Sequence, residues 1–154
     1  AFSDEIEMGK NKFQNESVEI VQKNQNIECY IGDDKFLFKN YKNEVGNQIK
    51  GYLNIIYDGK KTKIYRSNKK VFMEATQART SLERAFPARY IDEKSYYIST
   101  SDFSEIKYLK TSKKNILKLI DNKEKKIKKF ISENKIKLKN EADLIKVFVF
   151  FDSL

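Results

Sequence analysis

From Thr111 to Leu154 apolar side chains return every three or four positions: Ile116, Leu119 and Ile120, then Ile127, Phe130 and Ile131, then Leu144, Ile145 and Phe148. That spacing predicts a compact set of short amphipathic helices with one apolar face each. Every run carries a start signal. Ser112 caps the first, Asp121 with Glu124 resembles a capping box for the second, and Asn140 with Asp143 does the same for the third.

Upstream the period changes from helical to alternating. Ser17 to Lys23, Ile27 to Ile31 and Lys35 to Lys39 read as short strands, with Gly32, Asp33 and Asp34 turning the second into the third. The polar stretch Lys39 to Gln48 reads as a loop. Tyr52 to Tyr57 and Thr62 to Ser67 form a hairpin around Asp58, Gly59, Lys60 and Lys61, where Asp-Gly supplies a positive-φ position. Val71 to Glu74 adds a third strand after a turn at Asn68. Ala75 to Tyr90 breaks the pattern, with Thr80 and Glu83 predicting one helical turn that Pro87 ends. Ser95 to Thr100 and Glu105 to Leu109 then make a last hairpin across Ser101 to Ser104. Connections this short argue for antiparallel pairing.

The predicted fold class is α+β: an antiparallel sheet or half-barrel over about residues 17–109, followed by a helical segment over about 112–151. No repeat, linker or hinge interrupts the 154 residues, so one domain is expected over 1–154, β-rich from 1 to 110 and helical from 111 to 154. Hydrophobic residues at 40%, with 11 Phe and 9 Tyr, supply enough material for a real core. The longest apolar run, Val147 to Phe151, is far short of the ~20 residues that cross a bilayer. The chain begins with Ala1 rather than Met, which fits a cleaved leader or a cut boundary equally.

Candidate chemistry narrows by absence. The chain has no His and a single Cys, so it has neither the usual zinc ligand sets nor a Ser-His-Asp or Cys-His constellation. Cys29 shares a strand face with Ile27 and Ile31 and reads as a small buried hydrophobe. Glycines at 9, 32, 46, 51 and 59 form no phosphate loop. Asp33 and Asp34 offer carboxylates for a metal, but adjacent acids in a hairpin are ordinary turn residues. No metal, cofactor or catalytic residue is expected, and the chain is read as a binding protein rather than an enzyme.

Net charge is +9, and it is concentrated at one end: residues 107–154 hold 14 Lys against 6 acids, and residues 1–106 hold 17 basic against 16 acidic side chains. Lysines 113, 114, 118, 123, 125, 126, 128, 129, 135, 137 and 139 fall between the apolar helix positions and read as a solvated face. The alternative is a polyanion or nucleic-acid surface on those helices. Lysine outnumbers arginine 27 to 4, yet Arg79, Arg84 and Arg89 stand within eleven residues of one another. A guanidinium fork holds carboxylate or phosphate where an ammonium cannot, so these three are the candidate binding residues. They either tie the irregular segment to acids elsewhere in the fold or form an exposed recognition site.

The succession YLNIIYDGKKTKIYRSNKKVF, YYIS, TSKKNILKLI, KKIKKFISENKIKLKNEADLIK and FFDSL resembles a family of envelope or secreted proteins of the Bacteroidetes, β-rich at first and closed by a lysine-rich helical tail. The likeness runs from about Gly51 to the end and is weaker before it. It implies an export route, hence a periplasmic, outer-membrane-associated or secreted location, and carries no activity. A protein or cell-surface component is the expected partner, with nucleic acid disfavoured.

Overall fold

The computed structural model describes residues 27–78, 80, 82, 84–101, 103–120 and 123–154. In chain order these form β1 (Glu28–Ile31), β2 (Asp34–Lys42), β3 (Gln48–Asp58), β4 (Thr62–Met73), β5 (Arg89–Thr100), β6 (Phe103–Tyr108), α1 (Lys113–Leu119), α2 (Glu124–Glu133) and α3 (Glu141–Ser153). The α+β architecture expected from the sequence is the one adopted. The strand expected at Ser17 to Lys23 lies outside the described residues.

Successive strands pair antiparallel in the order β1-β2-β3-β4-β5-β6, and β6 also pairs parallel with β2 through Tyr41 opposite Ile106. That seam takes the sheet past a half-barrel: β2 to β6 form a closed ring, with β1 added as a hairpin. The turn between β1 and β2 is Gly32-Asp33, and Gly32 holds φ +59, a conformation costly for any residue with a Cβ.

Alternation divides β3, β4 and β5 between two cores. Tyr41, Leu53, Tyr65, Tyr97 and Ile106 fill the ring. There Tyr97 meets Tyr41 edge-on at 4.7 Å and Tyr108 at 5.8 Å, and Gly51 leaves the space that Tyr41 occupies. Ile64, Tyr96, Ile98 and Leu109 point outward and are covered by Ile116, Ile120, Ile127, Ile131, Leu144, Val147 and Phe148 of the helical segment. Sheet and helices therefore share one continuous apolar layer, each fully buried Ile or Leu contributing on the order of 1.5–3 kcal/mol.

Helix starts follow the caps in two cases. Ser112 Oγ accepts from Asn115 N–H, and Asn140 Oδ1 accepts from Asp143 N–H. The carboxylate of Asp143 does not reach back to the cap; it accepts from Lys137 N–H and Lys146 Nζ, and these contacts hold it below its ordinary value. For α2 the N-cap is Lys123, which makes no side-chain cap bond; Asp121 lies outside the described residues. Leu119 is exposed rather than facing the core, and Leu117 packs in its place.

Several boundaries differ from the sequence reading. The polar stretch after Lys39 is strand as far as Lys42 and again from Gln48, because Tyr41 is drawn into the ring. No turn occurs at Asn68: β4 runs unbroken to Met73, held in register by β5. Gly59 does not occupy the left-handed region; its hydrogen is needed because a Cβ there would overlap the Asp152 carboxylate and the Tyr57 ring. Among the described residues of 75–90 there is no helix; Thr76 instead bridges to Phe86. Cys29 is only half-buried and its neighbour Ile31 is exposed.

Candidate functional site

Once past Arg66, β4 loses β3 as a neighbour: their register ends at Asn54 opposite Arg66, while β4 and β5 remain paired as far as Met73 opposite Arg89. β6 likewise pairs with β5 only from Tyr97 onward, with Leu109 N–H donating to Tyr96 O at 2.7 Å. The result is a two-stranded arm, Ser67–Met73 with Arg89–Ser95, extended by the Thr76–Phe86 bridge.

The arm carries apolar and cationic side chains that the core does not cover. Phe72 and Tyr90 face each other with ring centroids 5.2 Å apart, yet they remain 53% and 68% exposed. Met73, Phe86 and Ile91 are exposed as well, and Leu82 at the tip is 95% exposed. The guanidinium of Arg89 lies over the Phe86 ring at 4.7 Å. Arg84 is exposed near the tip, and Arg79 lies outside the described residues. Among the described residues no acid pairs with Arg84 or Arg89, so those residues supply no tie to the rest of the fold for either.

Among the described arginines, the one with acid partners is Arg66, which stands apart from the cluster in sequence. Arg66 projects from the helix-facing side of β4, its side chain only 13% exposed, and donates to Glu141 Oε1 at 2.8 Å and to Asp34 Oδ2 at 3.0 Å. Tyr96 donates to the other oxygen of Glu141 at 3.1 Å. Burial first, and then the Glu141 charge, push the Tyr96 hydroxyl above its usual range. Beside this group Asn54 is fully buried, and neither its amide nor Arg66 Nε has a partner among the described residues. The signal for Arg66 was its place two residues after Ile64 on the same face of an alternating strand, where a charge carried under a helix demands a counter-charge.

The far end of α3 is fixed in the same manner. Asp152 accepts from Tyr57 Oη at 3.0 Å, Thr62 Oγ1 at 3.0 Å and Lys61 N–H at 3.3 Å. Burial, then the Asp152 contact, push Tyr57 up to about 12. Nearby, Lys61 and Lys123 both approach the Phe151 ring, at 5.8 and 5.9 Å, and Lys123 is held below its ordinary value by desolvation and by the charges of Lys61 and Lys126. Lys113, Lys114, Lys118, Lys125, Lys126, Lys128 and Lys129 are all exposed.

Among the described residues no group of three His, Cys, Asp or Glu side chains is placed to hold a metal ion, and Asp34 is engaged by Arg66. No helix among them is long and apolar enough to cross a membrane. Comparison with protein-family models, curated proteins and solved structures yields no match.

Proposed function

We propose that this chain is a non-catalytic binding protein of the cell envelope or its surroundings, and that the β4–β5 arm is the part that grips a protein or surface component. The observation that carries this is the exposure of Phe72, Tyr90, Phe86 and Leu82 beside Arg84 and Arg89 on a ribbon that adds nothing to either core. Aromatic and arginine side chains supply most hot-spot energy at protein interfaces, and an exposed apolar patch of this kind marks an interaction site. The non-catalytic part is supported by the lack of histidine and by the engagement of Arg66, Glu141, Tyr96 and Asp152 with structural partners. The envelope location rests on the Bacteroidetes resemblance. A Phe72→Ser, Leu82→Ser, Tyr90→Ser triple variant should keep the wild-type melt and lose at least about tenfold in retention on Bacteroidetes cell envelopes. Equal retention of variant and wild type refutes the arm as the gripping surface.

A second reading, polyanion binding by the helical segment, is favoured by the convergence of Lys61 and Lys123 on Phe151 beside the exposed lysines of α2. It requires a steep salt dependence that shrinks when Lys125, Lys126, Lys128 and Lys129 are all changed to Gln.

A further inference from the structure

On the reading that the arm is the binding surface, we infer that one component it binds is a second copy of this chain, added strand to strand along the free edge of β5. Among the described residues, Arg89 to Ser95 pair on one side with β4 and on the other with nothing. An extended edge of this kind offers a row of unpaired N–H and C=O groups to any strand that fits. The question is which strand does.

Side chains on β5 alternate between two faces, with Arg89, Ile91 and Glu93 on one and Tyr90, Asp92 and Lys94 on the other. If two copies meet antiparallel about a two-fold axis at Ile91, Ile91 faces its own copy, and Val71, which lies opposite Ile91 within each arm, extends the apolar strip on both sides. In that register Arg89 of each copy faces Glu93 of the other, and Tyr90 faces Asp92. Opposite charges directly across a strand pair are favourable, and each pair occurs twice by symmetry. Sliding the axis to Asp92 sets that carboxylate against itself, and sliding it to Tyr90 sets Arg89 against Ile91. Charge complementarity therefore selects one register.

The other edge of the arm is guarded. On β4, Lys69 and Lys70 sit side by side in the exposed run Asn68 to Lys70, the usual device by which a free edge repels another strand. Pairing β4 with a neighbour's β5 would also be head-to-tail and would not close. Self-pairing of β5 closes at two copies and turns two marginal ribbons into one four-stranded sheet.

Sedimentation equilibrium of the full chain tests this. The wild type should be a dimer. Arg89→Glu and Glu93→Arg should each weaken dimerisation by about tenfold or more, and the double reversal, which restores opposite charges, should recover it. Lys94→Glu on the same strand faces Ala88 in this register and should leave dimerisation unchanged. In a Cys29→Ser background, Ile91→Cys should give a covalent dimer on oxidation while Lys70→Cys does not, which reads the register even if a charge variant folds poorly. A monomeric wild type, a double reversal no better than the single changes, or equal cross-linking through Lys70→Cys overturns the proposal. A monomer whose Phe72, Leu82 and Tyr90 variant still loses envelope retention defeats the dimer and leaves the arm as a gripping surface. A dimer whose arm variant is retained like wild type defeats the gripping surface instead.

Discussion

Arg66 on the outer face of β4 and Glu141 in the first turn of α3 meet at 2.8 Å, joining the sheet to the last helix. The carboxylate sits where a helix favours negative charge, and the guanidinium neutralises it from the sheet side. Tyr96 and Asp34 complete the set; Asp34 is half exposed, so Glu141 is the member that loses most when Arg66 is removed.

Arg66→Met should therefore destabilise by roughly 2–4 kcal/mol, since it strands Glu141 in a half-buried position. Adding Glu141→Gln should return part of that loss. A double-mutant cycle by urea unfolding measures the coupling, and additive single effects would show the pair to be incidental.

Asn54 gives the opposite expectation. Its amide is fully buried with no partner among the described residues, so an apolar side chain of similar size removes a desolvation cost. Asn54→Leu should raise stability by about 1 kcal/mol, visible as a higher thermal midpoint; a lower midpoint means the amide is satisfied in solution.

Alkaline pH should loosen the ring. Burial, then the neighbouring Tyr41 and Tyr108, push Tyr97 up to about 12 from an ordinary value of 10. A folded value above the unfolded one means the stabilisation is complete below pH 10 and is lost as pH rises through about 12. For Tyr97 the shift corresponds to on the order of 3 kcal/mol. Urea midpoints should stay level up to pH 10 and fall beyond it, and Tyr97→Phe should flatten that decline.

The helix faces can be checked by pairing a core residue with an outer one. Ile127 is fully buried and Ile127→Ala should cost about 2–5 kcal/mol. Phe130 stacks on Phe150 at 4.2 Å but is only partly buried, so Phe130→Ala should cost less, about 1–3 kcal/mol. Lys126→Ala, on the exposed side, should change stability by less than ~0.5 kcal/mol. Equal losses at Ile127 and Lys126 would reverse the assigned faces.

Local periodicity made the helices and most strands legible, because Ile116, Ile127 and Leu144 mark a face within their own segments. What it missed depends on partners remote in sequence. Asn68 reads as a turn until Lys94 is known to lie opposite it, and Tyr41 reads as loop until Ile106 is known to hold it. The arginine cluster drew attention to the arm through composition alone. The paired exposure of Phe72 and Tyr90 needed the register, and Arg66 was hidden because a lone arginine in a strand shows no local sign of Glu141.

The parallel seam between Tyr41 and Ile106 also sets the order in which this chain acquires its shape. The antiparallel pairs join strands adjacent in sequence, whereas the seam joins positions separated by three intervening strands and the whole arm. Loop-closure entropy is expected to place ring closure after hairpin pairing, with Tyr65 and Tyr97 wet until then. A chain with a weakened seam should fold more slowly yet unfold at nearly the same rate if closure precedes the barrier, and should only unfold faster if closure follows it.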